Sequence, residues 1–177
     1  MKFYTINDNK ILIAENKDIL ERFYQDVKLL PEDYQEGKYY VKDNELVRNE
    51  HWEEEELIKT KQSKYQEANS KANTYLQSGE ALFEFEPDKH IEATDGNIAK
   101  MNAYLTGLQA GAFEEVVWVS KEDEILTLNA EDVTTILLGL GQVQADIWSN
   151  QFLAYKNAID EATTVEEVES IEVSYHS

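Results

Sequence analysis

Hydrophobic positions open the chain in two short β-favouring runs, Phe3 to Ile6 and Ile11 to Ala14. Asp8 and Asn9 lie between them and tolerate left-handed dihedrals, so the pattern predicts a hairpin. Asn16 then caps a short helix with Ile19, Leu20, Phe23, Tyr24 and Val27 on one face, and Pro31 ends that segment. A second hairpin follows, with Lys38 to Val41 paired to Glu45 to Val47 across Asp43-Asn44.

From Trp52 to Ser78 the period becomes helical, with no glycine or proline, and Gly79 is placed as a left-handed stop. Ile58, Lys61, Tyr65, Ala68, Ala72 and Tyr75 recur at alternating steps of three and four, which is heptad spacing. Two alanines and a lysine make this stripe thin. Such a helix buries little alone, so it either lies across a neighbouring element or pairs with copies of itself.

The rest of the chain predicts strands at Ala81 to Glu86 and Lys89 to Ala93 around Pro87-Asp88, then a helix capped by Asp95 and closed by Gly111. A third hairpin joins Val116 to Val119 with Ile125 to Leu128. Asn129 caps a long amphipathic helix whose stripe runs from Val133 through Leu140, Ile147 and Trp148 to Ile159. Gly139 and Gly141 interrupt it, each at a cost of about 1 kcal/mol relative to alanine, so close packing against a neighbour is expected there. Thr164 and Glu167 form a capping box for one last helical turn before Ile171 to Tyr175. The expected fold is therefore α+β. It comprises a small N-terminal hairpin unit (1–50), a long helical connector (51–79), and a C-terminal domain (80–177) whose hairpins pack on two amphipathic helices.

Charge adds a polarity to this picture. The 177 residues carry a formal charge of -20, and the last 64 alone hold two lysines against fourteen acids. With a pI near 4.4, binding to nucleic-acid phosphates is not expected, because it needs a basic face. No run approaches the roughly 18 apolar residues of a membrane span, and no apolar secretion core follows Met1, so neither a membrane anchor nor a signal peptide is expected. The absence of cysteine removes disulfides, thiol nucleophiles and cysteine-based metal sites.

Catalytic chemistry finds little to stand on. His51, His90 and His176 are scattered, with no pair at helical spacing, and no stretch has the order of a calcium loop. No Gly-x-Ser-x-Gly elbow and no phosphate-cradling glycine loop occurs, and Gly139-Leu140-Gly141 sits within a helix. Glu53 to Glu56 form the first turn of the long helix, where acids suit its dipole. The reading is no catalytic residue, no metal and no cofactor. Aromatic side chains remain as contact candidates. Tyr34, Tyr39 and Tyr40 cluster in the first unit, with Tyr39 and Tyr40 on opposite faces of one strand. Ile58, Tyr65 and Tyr75 are the candidate interaction residues of the long helix. Trp118 and Trp148 are assigned to core packing.

The stretch Leu30-Pro31-Glu32-Asp33-Tyr34-Gln35-Glu36-Gly37-Lys38-Tyr39, followed by Asn44-Glu45-Leu46-Val47, resembles the start of small phage and prophage tail-fibre-associated proteins. From His90 to about Val173 the chain resembles a phage domain of unknown function. The shared features are Thr94-Asp95-Gly96 before a helix, Val117-Trp118 and a polar turn, and Leu128-Asn129-Ala130-Glu131-Asp132 before a long helix with Trp148. Ala162 to Val168 then follows in the same order. The resemblance carries no catalytic residues. It implies a non-enzymatic role beside other phage tail proteins, a tail fibre among them, as fibre component or assembly chaperone. Such a protein resides in the virion tail, or in the host bacterial cytoplasm during assembly. Fibre assembly uses threefold symmetry, and the Tyr/Ala stripe of residues 52–78 is a candidate for homo-oligomer contact. Two other classes compete: an acidic DNA mimic, and a carbohydrate-binding tail tip using Tyr34, Tyr39 and Tyr40.

Overall fold

A computed structural model describes residues 1–176 and has the expected α+β architecture, with the chain divided into two compact units, Met1–Ile58 and Lys59–Ser177. The division cuts through the long helix rather than bracketing it as a separate connector.

In the first unit, β1 (Phe3–Asn7) and β2 (Lys10–Ala14) pair antiparallel with Tyr4 opposite Ile13. β4 (Tyr39–Lys42) and β5 (Glu45–Arg48) form the second hairpin. Both hairpins turn on two residues of positive φ, Asp8 and Asn9 at 50° and 60°, and Asp43 and Asn44 at 51° and 62°. Two successive left-handed residues are what a tight turn matched to strand twist requires. The first helix departs from expectation. Asn16 caps it as predicted, accepting from the Asp18 N–H at 2.9 Å, but α1 spans only Lys17–Glu21. Leu20 is buried, whereas Ile19 and Phe23 are 53% and 77% exposed. The chain leaves the helix because the open edge of β1 claims it. The two-residue strand β3 (Lys28–Leu29) pairs with Tyr4 and Phe3, and the Leu30 N–H donates to the Lys2 carbonyl.

The second unit is built on helices. Residues 59–78 of α2 (Trp52–Ser78) contribute Ala68, Ala72 and Leu76 to its buried interior, and Gly79 ends the helix at φ +79°. The hairpin of β6 (Leu82–Glu86) and β7 (Lys89–Glu92) precedes α3 (Asp95–Gln109). The hairpin of β8 (Val116–Val119) and β9 (Ile125–Leu128) precedes α4 (Ala130–Ala145). Asn129 caps α4 in a reciprocal box with Asp132, as the acids of that first turn suggest. The core joins Met101 of α3, Val133, Ile136 and Leu140 of α4, and Ile91, Leu126 and Leu128 of the hairpins.

Two details differ from expectation, the cap of α3 and the regularity of the last long helix. Thr94, not Asp95, caps α3, with its hydroxyl accepting from the Asn97 N–H at 3.2 Å. Asp95 instead accepts from the Gln144 amide at 3.0 Å, which ties the start of α3 to α4. The long final helix is not uniform: a π-helical segment, Asp146–Phe152, separates α4 from α5 (Leu153–Glu161). There Asp146 accepts from Asn150 and Gln151, at 2.6 and 2.8 Å. Beyond α6 (Val165–Glu169), the described residues join no strand or helix. Side chains hold them instead. Gln151 donates to the His176 carbonyl and accepts from its N–H, and the Tyr155 hydroxyl donates to the Ser174 carbonyl at 2.6 Å. Lys64 and Lys71 donate to the carbonyls of Ile171 and Val173.

The two helix glycines separate cleanly. A Cβ on Gly139 would stand 2.2 Å from the Phe83 ring, while one on Gly141 meets nothing within 4 Å. Gly139→Ala is expected to destabilise the unit by about 1–3 kcal/mol through overpacking. Gly141→Ala should stabilise it by about 0.5–1 kcal/mol through helix propensity. Urea denaturation of the two variants checks both signs.

Candidate functional site

The tyrosines of the first unit are brought together, but largely as a brace. Tyr34 and Tyr39 stack with ring centres 5.7 Å apart at 23°. The Tyr39 hydroxyl donates to Asp33 at 2.7 Å, and the Lys38 ammonium reaches the same carboxylate at 2.8 Å. Lys38, and then Tyr39, hold the Asp33 carboxyl down to about 2. Lys38 also lies 5.3 Å from the centre of the Trp52 ring. Tyr40, on the other face of β4, is about half exposed and is the member of the cluster that offers its ring to solvent.

The candidates on α2 are not equivalent either. Ile58 is half exposed in the first unit. Tyr65 is half-buried and donates to the Asp160 carboxylate of α5. Burial, and then that carboxylate, push its hydroxyl up to about 12. The Lys61 ammonium donates to the Asp160 carbonyl at 2.8 Å, and the Tyr175 hydroxyl donates to the Ala68 carbonyl at 3.0 Å. Tyr75 packs at the edge of the core and donates to the Glu80 carbonyl. The stripe at Tyr65, Ala68, Ala72 and Tyr75 is thus occupied within the chain: of the two roles open to a thin helix, it lies across neighbouring elements.

The second unit also has a cleft away from these residues. This cleft, of about 490 Å³, is lined on one side by Val117 to Lys121, at the end of β8, and on the other by Ile91 and Glu92 of β7. Asn97, Lys100 and Tyr104 of α3 complete it. The Trp118 ring meets Tyr104 edge-on at 6.2 Å, and the Lys100 ammonium lies 5.9 Å from its centre. Trp118 packs against the core, as expected, and is half-buried there, so that it also forms part of the cleft wall. Trp148, which meets Phe152 edge-on at 5.4 Å, is half-buried at the core boundary.

Lys121, which lines this cleft, and its neighbour Glu122 tie the β8–β9 turn to β7. The Glu122 carboxylate accepts from the His90 backbone N–H at 2.9 Å and faces its Nδ1 at 2.8 Å. Lys121 bridges Glu92 at 2.7 Å and donates to the Gly79 carbonyl at 3.0 Å. On the outward face of the β8–β9 hairpin, Val117, Val119 and Ile125 are 60%, 54% and 73% exposed. The sequence held a signal for this face. Four consecutive apolar residues, Val116 to Val119, cannot all point inward from one hairpin, since side chains alternate. Among the described residues, no group of three or more His, Cys, Asp or Glu side chains could hold a metal. No described helix is long and apolar enough to cross a membrane.

Glu122 gives the site a pH signature. The His90 backbone N–H first, then the His90 and Ser120 side chains, lower its carboxyl from 4.5 to about 2, against the opposing effect of burial. Between those values the unfolded chain binds the proton and the folded one does not. The contribution of Glu122 is thus complete above pH 4.5 and fades as pH falls toward 2. Glu122→Gln is expected to flatten the acid limb of stability over that window. Urea midpoints measured from pH 5 to pH 2 check this; an unchanged slope would contradict it.

Compared with known proteins, the chain matches no family model, no curated protein and no solved structure.

Proposed function

We propose that the chain is a non-enzymatic protein of a phage or prophage tail, a tail-fibre component or its assembly helper, that works through protein contacts. The observation that carries this reading is the outward face of the β8–β9 hairpin. Folding leaves Val117, Val119 and Ile125 uncovered on the side of the strands away from the core. Exposed apolar side chains grouped on one ordered surface mark a contact site. The order of motifs over residues 30–47 and 90–173, which resembles tail-fibre-associated proteins, supplies the tail context.

The ionisable groups support the same reading. Among the described residues, each carboxyl whose titration is shifted is shifted downward by hydrogen bonds that brace the fold: Asp33, Glu67, Glu122, Asp146, Asp160 and Glu167. A general acid needs the opposite, a carboxyl raised toward neutrality. The charge of -20 keeps such a protein soluble while its apolar face waits for a partner. It acts in the virion tail, or in the host bacterial cytoplasm during assembly.

The test is fractionation of a lysate from the phage or induced lysogen that encodes the chain. A component is expected to sediment with purified particles, and a helper to co-purify with unassembled fibre. Absence from both fractions would overturn the proposal. A triple variant, Val117→Thr, Val119→Thr and Ile125→Thr, keeps strand propensity. It should lose the association at an unchanged melting temperature.

A further inference from the structure

We propose that the outer edge of β8 is a strand-addition site, which takes an extended peptide segment of a partner protein into the cleft between β8 and α3. The inference deepens the protein-contact part of the function proposed above and does not rest on the tail context.

The register fixes which backbone groups are open. The Ser120 N–H donates to the Glu124 carbonyl at 2.8 Å, closing a three-residue turn in which Asp123 has a φ of 61°. Antiparallel pairs alternate between bonded and non-bonded. With Ser120–Glu124 bonded, Trp118–Leu126 and Val116–Leu128 are the bonded pairs, whereas Val117–Thr127 and Val119–Ile125 are not. The N–H and C=O groups of Val117 and Val119 therefore point away from β9. No other strand pairs with β8, and no backbone or side-chain group among the described residues bonds to them. Consecutive residues from Val117 to Lys121 line the cleft, which a strand's edge does and a strand's face, showing alternate residues, does not.

The facing edge of β7 shows what closure looks like in this protein. By the same alternation, counted from the Ala93 N–H donating to the Ala81 carbonyl, His90 and Glu92 point outward from β6. Three of their four outward groups find substitute partners. The His90 N–H donates to Glu122, its carbonyl accepts from the Lys121 N–H, and the Glu92 carbonyl accepts from the Asn97 side chain at 3.1 Å. The protein thus blunts the edge of β7 and leaves that of β8 bare. An uncovered edge is a ready template for a further strand.

Charge identifies the occupant. The second unit has eight lysines and 21 acids. Lys64, Lys71, Lys89, Lys121 and Lys156 are each ion-paired. Lys100, at the cleft, has no carboxylate partner among the described residues and lies only against Trp118. A segment with one carboxylate opposite Lys100 satisfies that charge. Its remaining residues are neutral or basic, because the field of the unit is negative. A second copy is disfavoured, since each chain brings a charge of -20 to the contact.

The experiment selects, on the purified full chain, from a library of linear peptides about eight residues long with one central glutamate. Enriched peptides are then measured by fluorescence anisotropy. Val119→Pro removes an outward N–H without touching the β8–β9 ladder and is expected to weaken binding about tenfold or more. Val119→Thr, which keeps the N–H and changes only the side chain, should weaken binding far less than Val119→Pro. Lys100→Glu should weaken the glutamate peptide and prefer its lysine counterpart. N-methylation of alternate peptide amides should abolish binding to the unaltered chain, a readout that stands if Val119→Pro fails to fold. The proposal is overturned if no peptide is enriched, or if binding survives both Val119→Pro and N-methylation. Loss only on Trp118→Ala would equally overturn it, as the mark of a ring-stacking ligand such as a saccharide. None of these outcomes bears on whether the chain fractionates with tails.

Discussion

The second unit depends on one constraint: α4 must bury a continuous apolar stripe, and only two-stranded hairpins and neighbouring helices are available to cover it. An isolated hairpin is marginal in water. β6–β7 and β8–β9 persist because Leu140, Ile136 and Val133 of α4 share a core with Ile91, Leu126 and Leu128. The contact at Gly139 is the tightest expression of this, since the Phe83 ring occupies the space a side chain would need. α2 joins the same core through Ala72 and Leu76, and its small residues suit an approach between elements rather than a broad apolar seam.

A core that relies on separate hairpins has a consequence for surface chemistry. Each hairpin has two edges and two faces, and each has to be closed or left open. The protein closes the edge of β7 with a carboxylate, a turn N–H and an asparagine amide. It closes the segment near Tyr175 with Gln151, Tyr155, Lys64 and Lys71 in place of neighbouring strands. The bare edge of β8, with the exposed Val117, Val119 and Ile125 beside it, contrasts with the closed edge of β7 across the cleft. Side-chain substitutes for strand pairing close the β7 edge and the segment near Tyr175, and the β8 edge that faces β7 across the cleft has none.

Elements with strong local signals were legible in the sequence. The Asp8-Asn9 and Asp43-Asn44 turns, the 27-residue helix with Gly79 beyond it, and the capping boxes at Asn129 and Thr164 follow from local rules, and each is present. Features decided by distant residues were not. Phe23 fits a helical face, yet α1 stops at Glu21, because β3 is drawn to the edge of β1. Asp95 is a good capping residue, yet Gln144 across the fold engages it and Thr94 caps instead. The π-helical segment leaves no mark in a 3.6-residue stripe that continues through it. The site followed the same division. The tyrosine cluster was visible as composition, but Asp33 and Lys38 turn most of it into a brace. The β8 edge depends on a bonding phase that only the register supplies.

The claim that most of the functional account rests on is that β8 carries an open edge. Residue-resolved amide hydrogen exchange on the free, full-length chain addresses it directly. Alternation along β8 is expected: slow exchange at Val116 and Trp118, whose amides bond to β9, and fast exchange at Val117 and Val119 in the same strand. Equal, strong protection at all four amides would mean that the edge is already covered, and would contradict that claim.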